Sequence, residues 1–293
     1  MQKRKIYTAE WLTIVYILIT VLYLLLFFPK VHHRTLFFGS RIAVITTIGF
    51  LALLSHKVQI PKLDSVRQFL PFLMLGYWYS ESFYFSGILF QNKDLFFYDL
   101  DAYLFGCQPS LVFSQMFPQA WFSELMYFGY FCLYIFLFGI PLWFWFHKKE
   151  HFDRVVFVLM LSVFLYYSIF DMLPVVGPQF FLAAKDTHVP DGYLFCWLVR
   201  SIQHQGENPT GSFPSSHVGT TMVILLLTFN WERKLFWVLL PFAIILMLST
   251  VYIKAHYLVD VFGGIISAVL FYWIANRMYD LLGYNPSKLK NSE

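Results

Sequence analysis

Two histidines, an aspartate and a lysine carry the reactive chemistry of this chain. His256 and Asp260 stand four apart, which puts them on one face where they open a helix. The carboxylate can then take the proton of one imidazole nitrogen and leave the other nitrogen's lone pair outward, as a nucleophile needs. His217 follows Pro214, Ser215 and Ser216. Small residues ahead of a helix leave backbone N–H groups able to meet an anion, which a helix N-terminus already attracts. An imidazole there can protonate a leaving oxygen, because its pKa lies near working pH. Lys254 adds a positive charge two residues before His256. Together these parts suit phosphoryl transfer. Taken singly each has a plainer reading: a packing histidine, a proton-relay carboxylate, a lysine that snorkels to lipid headgroups. His256 and Asp260 as metal ligands are disfavoured, because the pair supplies too few donors. A transporter with a proton path along the two histidines and Asp260 is the rival from another class.

The elements that must hold these residues are apolar helices. The 293 residues are 58% hydrophobic and only 13% charged, against roughly a quarter charged in a soluble domain. A bilayer core takes about 20 mainly apolar residues per helix. By that measure the chain has about eight candidate spans, near 11–28, 36–54, 69–90, 121–146, 154–172, 216–231, 235–253 and 257–279. The third carries Glu81 and the sixth is short. The first follows Lys3, Arg4 and Lys5 like a signal peptide, but its apolar run is too long and lacks a small-residue cleavage site, so a retained helix is expected. Residues 94–118 are expected to form an interfacial helix and loop. The second long connection, 173–214, is where a functional loop belongs. Its Gln203, His204, Glu207 and Asn208 mark the place for an acceptor pocket, or simply a solvated loop. The 22% aromatic content is read as interfacial belts and packing.

An even number of spans puts both termini on one side. Most of the 21 basic residues, among them Lys57, Lys148, Lys149, Arg233 and Lys234, then fall on that side. Excess Lys and Arg in short loops marks the cytoplasm. The long loops therefore face away from it, as do three polar clusters: Asp171 to Gln179, Gly211 to His217, and Ser249 to Asp260. The organisation expected is N-terminal membrane helices over 1–60, a core over 61–283 and a cytoplasmic tail over 284–293. Cys107, Cys132 and Cys196 form no CxxC pair. Cys107 and Cys196 share a side, and unpaired thiols are the simpler expectation.

Phe213-Pro-Ser-Ser-His217, followed by His256-Tyr-Leu-Val-Asp260, resembles the type 2 phosphatidic acid phosphatase superfamily of membrane enzymes over roughly 170–270. The resemblance implies an all-α polytopic bundle with a six-helix phosphatase-type core. It implies His256 as the nucleophile that becomes a phosphohistidine, His217 as the acid for the leaving alcohol, and Asp260 as the orienting carboxylate, with no metal and no cofactor. Lys254, Pro214, Ser215, Ser216, Gly177, Gln179 and Tyr252 are the substrate-binding residues it points to. The implied setting is a multi-pass protein of the cell (inner) membrane with its site on the periplasmic or exoplasmic face and its termini cytoplasmic. The implied partners are a lipid phosphate, the bilayer and, in the transferase branch, a ceramide or inositol-type acceptor, with no nucleic acid.

The sequence departs from the phosphatase pattern at two places. The KxxxxxxRP motif is absent, with Pro174 to Gln179 in its place, and the usual Ser-Arg of the third motif is Ser249-Thr250. Lys254 is the cation that remains close, and Arg200 and Lys185 are the basic residues of the outer loop able to add a second. Fewer cations favour head-group transfer, of the inositol phosphorylceramide synthase kind, over simple hydrolysis.

Overall fold

The computed structural model describes residues 6–58, 61–182 and 188–282. The 284–293 tail and Lys185 lie outside the described residues. Among these residues the chain is all helix, without strands. The helices are α1 (Thr8–Leu26), α2 (Arg34–Val58), α3 (Pro61–Leu73), α4 (Leu75–Phe85), α5 (Asp94–Phe105), α6 (Pro109–Met116), α7 (Ala120–His147), α8 (Lys149–Met172), α9 (Pro178–Phe181), α10 (Leu194–Gly206), α11 (Ser216–Trp231), α12 (Arg233–Tyr252) and α13 (Leu258–Leu281). Six of them, α1, α2, α7, α8, α12 and α13, are long and apolar enough to cross a membrane. The other two candidate stretches are helical but different in kind. The third divides into α3 and α4 at Met74, between Pro71 and Gly76, residues that interrupt helices. The sixth is α11, whose 16 residues span about 24 Å, short of a roughly 30 Å hydrocarbon layer.

Packing explains the hydropathy. Helix α8 is the central post: 78% of its apolar window lies inside the protein, against 22% for α2 at the rim. Around it one continuous core joins Tyr16 of α1, Trp78 of α4, Phe136 of α7, Val223 of α11, Leu246 of α12 and Phe271 of α13. Helix α1 is tied in by the Tyr16 and Phe164 rings, stacked 4.1 Å apart. Apolar side chains such as Leu22, Ile244 and Ile266 point outward instead, the surface expected of helices solvated by lipid rather than water.

Two buried carboxylates of the bundle are paired with guanidinium groups. Glu81 of α4 takes two bonds from the Arg41 guanidinium of α2, at 2.6 and 2.7 Å. Glu10 of α1 takes two from Arg67 of α3, at 2.8 and 2.7 Å. Bidentate guanidinium–carboxylate geometry satisfies both partners at once, which is what allows a charge within the third apolar stretch.

The two ends of the bundle differ. At one, Asp153 accepts bonds from Thr8 and from Tyr279, each 2.9 Å, so the start of α1 and the end of α13 meet there. At the other, the connections around α9 and α10, the start of α11 and the α12–α13 junction converge beside α5 and α6. Cys107, Cys132 and Cys196 are free thiols.

Candidate active site

Three connections build the site. Helix α11 packs among α8, α12, α13 and α7, and His217, its second residue, is partly buried. Ser215 caps it, accepting from the Val218 amide at 3.3 Å. Its own N–H donates to the Asp260 carbonyl at 3.0 Å, which locks the start of α11 to the first turn of α13. Gly264 makes that approach possible, since a Cβ there would stand 2.6 Å from the Ser215 carbonyl.

His256 lies in the tight connection between α12 and α13 and is buried. Its Nδ1 is 2.8 Å from the Ser212 carbonyl oxygen. Its Nε2 is 3.2 Å from Nδ1 of His217. Since a carbonyl can only accept, Nδ1 carries the proton and Nε2 presents its lone pair to His217. The His217 nitrogen is then the donor of that pair. Burial holds the His256 imidazole down, to about 4, against the Ser212 carbonyl and the Glu207 charge, which both favour its protonated form.

Asp260 is linked less directly than its spacing suggests. Its Oδ2 stands 3.6 Å from His256 Nδ1, beyond hydrogen-bond distance. The Ser212 hydroxyl fills the interval, donating to Asp260 Oδ2 at 2.6 Å and lying 3.4 Å from His256 Nδ1. The same oxygen accepts the Tyr257 amide at 2.8 Å. Ser212 thus joins the carboxylate to the ring through its hydroxyl and holds the ring through its carbonyl.

The remaining candidates fall into two groups. Gly177, Gln179 and Lys254 belong to or adjoin the backbone that leads into His256. Gly177 has φ +88°, and a Cβ on it would lie 2.7 Å from the Ala255 carbonyl and 2.9 Å from the Ser212 hydroxyl, so only glycine fits against that wall. The Gln179 amide donates to the Lys254 carbonyl at 2.9 Å. Lys254 is buried, and its Nζ donates to the His188 carbonyl at 2.9 Å. Pro214 and Ser215 are buried in the turn before His217, and Ser216 lines a cavity with it. Tyr252 stands apart: its hydroxyl is bound by Ser123 at 2.7 Å and donates to Phe117 at 2.8 Å, tying α12 to the end of α6 and the start of α7. Arg200 also faces elsewhere, pairing with Asp191 at 2.6 Å and donating to Tyr127 at 3.1 Å.

Some contributors carry no motif. Glu207 accepts bonds from Tyr130 at 2.6 Å, Gln179 at 2.7 Å and Gln203 at 3.1 Å. The Tyr130 ring lies 4.7 Å from the His217 ring, tilted by 30°. Beside them a cavity of about 270 Å³ is lined by His217, Ser216 and Glu207 together with Tyr79, Tyr134 and Tyr167. A more open groove of about 570 Å³ runs along α10 past Tyr193, Trp197 and His204, with neither His217 nor His256 in its lining. Among the described residues, no group of three or more His, Cys, Asp or Glu side chains is placed to hold a metal ion.

A helical membrane bundle with a partly buried, hydrogen-bonded histidine pair at one end is the class that fold and site define. The chain belongs to the PAP2 superfamily, whose sequence profile matches residues 96–274, from α5 to α13. It is 28% identical over 134 residues to a PA-phosphatase related-family protein of Dictyostelium discoideum, a match that covers 44% of this chain and 23% of that one. The matched stretch is thus under a quarter of that relative's length. A solved structure, LpxE of Aquifex aeolicus, is similar at 20% identity and a TM-score of 0.39, over 54% of this chain and 84% of the other.

Proposed function

We propose that this protein is a membrane lipid-phosphate phosphatase or phosphotransferase working through a phosphohistidine on His256, at the non-cytoplasmic face. The observation that carries the reading is the tautomer imposed on His256. With Nδ1–H given to Ser212, Nε2 is a lone-pair donor, and the nearest partner is a second histidine suited to deliver a proton. Nε2 attacks phosphorus and the P–O ester bond breaks. In this step His217 acts as imidazolium: its Nδ1 proton passes to the departing alkoxide, which leaves as an alcohol, and the ring becomes neutral imidazole. The positive charge developing on His256 is balanced by the Ser212 carbonyl and the Ser212–Asp260 link. A second hydroxyl then attacks phosphorus, gives its proton to His217, and the N–P bond breaks.

Water as the second hydroxyl makes a phosphatase, and an alcohol makes a transferase. Lys254, Gln179, Gly177, Ser215 and Ser216 are the residues proposed to meet the phosphate. The concentration of basic residues at the Asp153 end of the bundle supports a site facing away from the cytoplasm. The hydroxyl-rich cavity beside His217 favours the second reading enough to test a ceramide or inositol-type acceptor.

The experiment is a lipid panel on purified protein in detergent. Phosphatidic acid or a phosphorylated isoprenoid is expected to release phosphate without added metal, or to pass its group to a supplied acceptor. Vanadate, five-coordinate like the transition state, is expected to inhibit at millimolar concentration. Undiminished turnover by His256→Ala would end the nucleophile assignment.

A further inference from the structure

Helix α5 is amphipathic in an unusual sense. Leu95, Phe96, Tyr103 and Leu104 are exposed, whereas Asp94 and Asp101 are both wholly buried, on the face that carries Phe97. Seven residues apart is two helical turns, so the carboxylates share one line along the helix. Burying two carboxylates is costly unless each is fully bonded, and each is bonded to backbone that frames His256.

Asp101 is the cap of α13. Its Oδ2 accepts the Leu258 amide and its Oδ1 the Val259 amide, both at 2.9 Å. These are two of the amides that a helix start leaves without an internal partner, and they lie two and three residues beyond His256. Burial pushes the Asp101 carboxyl up to about 6, against those two donors. Asp94 holds the opposite wall. Its Oδ2 accepts the Val176 amide at 2.8 Å and the Asn92 side chain at 2.7 Å; its Oδ1 accepts the Gly177 amide at 2.8 Å and the Tyr257 hydroxyl at 3.1 Å. The 175–177 stretch in turn carries Ser212, whose amide donates to the Val175 carbonyl at 2.9 Å. One helix therefore clips both sides of the nucleophile: the chain that carries His256 and the loop that carries its Ser212 support.

We infer that Asp94 and Asp101 are positioning residues for the reaction at His256, with α5 acting as a strut that sets the reach of Nε2. The inference rests on the phosphohistidine reading. Neither carboxylate touches the imidazole pair; each acts through backbone it holds. A displacement of about 1 Å at a reacting atom costs on the order of 100-fold in rate, so the effect belongs in kcat rather than KM.

The test is steady-state kinetics of Asp101→Asn and Asp94→Asn in detergent, on a lipid phosphate that the wild type turns over. Asp99→Asn is the control, the same charge change on an exposed position of the same helix. An asparagine keeps one acceptor oxygen and loses the second bond. D101N and D94N are expected to lower kcat by about 10–100-fold with KM within about two-fold of wild type, and D99N to leave both unchanged. Rates are referred to monodisperse protein of unaltered helical content. A wild-type kcat per folded molecule in D101N and D94N, even with a reduced folded yield, overturns the inference and leaves α5 a scaffold only. The phosphohistidine reading fails separately, by undiminished turnover in H256A.

Discussion

Asp260 Oδ2 and the Ser212 hydroxyl lie 2.6 Å apart, and through that contact the carboxylate reaches His256, from which its own oxygen is 3.6 Å distant. The arrangement differs from a direct His–Asp pair. The carbonyl that fixes the tautomer and the hydroxyl that connects to the carboxylate belong to a single serine. A residue that does both is sensitive to substitution in a graded way: removing the hydroxyl spares the carbonyl.

Ser212→Ala is therefore expected to lower kcat by about 10–100-fold while keeping measurable turnover. Second partners of a reactive histidine typically contribute on that scale. Asp260→Asn is expected to cost at least as much, because it also weakens the bond to the Tyr257 amide. Initial-rate kinetics on both variants check the order; a Ser212→Ala enzyme faster than wild type would remove Ser212 from the mechanism.

His256→Ala and His217→Ala separate the two roles. Loss of the nucleophile is expected to abolish turnover, by at least about 1,000-fold. Loss of the proton donor is expected to cost about 100- to 10,000-fold, and less for a substrate whose leaving group needs no proton. Comparing an alkyl with a nitrophenyl phosphate ester reads this directly. Equal losses on both substrates would contradict the acid role of His217.

On the phosphohistidine reading, the lowered His256 pKa is expected to set the acid side of the pH profile. A proton on Nε2 removes the nucleophile, and burial delays that until about pH 4. The acid limb of kcat/KM attributable to this residue is expected near 4 rather than near the ordinary 6.5 of histidine. Linkage gives a matching sign for stability. The folded ring binds its proton less readily than the unfolded one, so the stability that depends on its neutrality is present above 6.5 and is lost as pH falls from there towards 4. Thermal unfolding in detergent across pH 4–7 measures it.

Glu81→Ala leaves Arg41 buried without its carboxylate partner. Breaking such a pair from one side typically costs about 3–5 kcal/mol. The double variant Arg41→Met, Glu81→Leu is expected to recover most of the loss, since no orphan charge remains. Thermal unfolding in detergent tests both, and a Glu81→Ala protein as stable as wild type would show that Arg41 finds another partner.

Much of this architecture is visible in the sequence because lipid imposes a simple rule. Apolar runs of membrane length predict helices, and α1, α7, α8, α12 and α13 lie where those runs do. The four-residue spacing of His256 and Asp260 predicts a shared helix face, whereas His256 stands in the turn two residues before α13 begins and Asp260 lies in its first turn. What escapes is whatever depends on partners far apart in the chain. Glu81 interrupts an apolar stretch until Arg41, forty residues earlier, is seen against it. Ser212 is one small residue within a motif, and nothing local says that both its oxygens serve His256. Asp94 and Asp101 left one signal, two acids seven apart among Leu, Phe and Tyr, although all their partners but Asn92 lie beyond residue 170. Tyr252 sits beside the motif in sequence, yet its ring faces Phe113 and Phe122. Proximity along the chain placed it near the histidines, and the helix turned its hydroxyl away.

The 3.2 Å between the two imidazole nitrogens has a consequence for entry. Reacting atoms stand about 3–3.5 Å apart before bond formation, so a phosphorus poised against Nε2 needs the space that the His217 ring occupies. On the phosphohistidine reading the rings must part before substrate reaches Nε2, and the hollow lined by Tyr134, Tyr167 and Ser216 borders the ring that has to move.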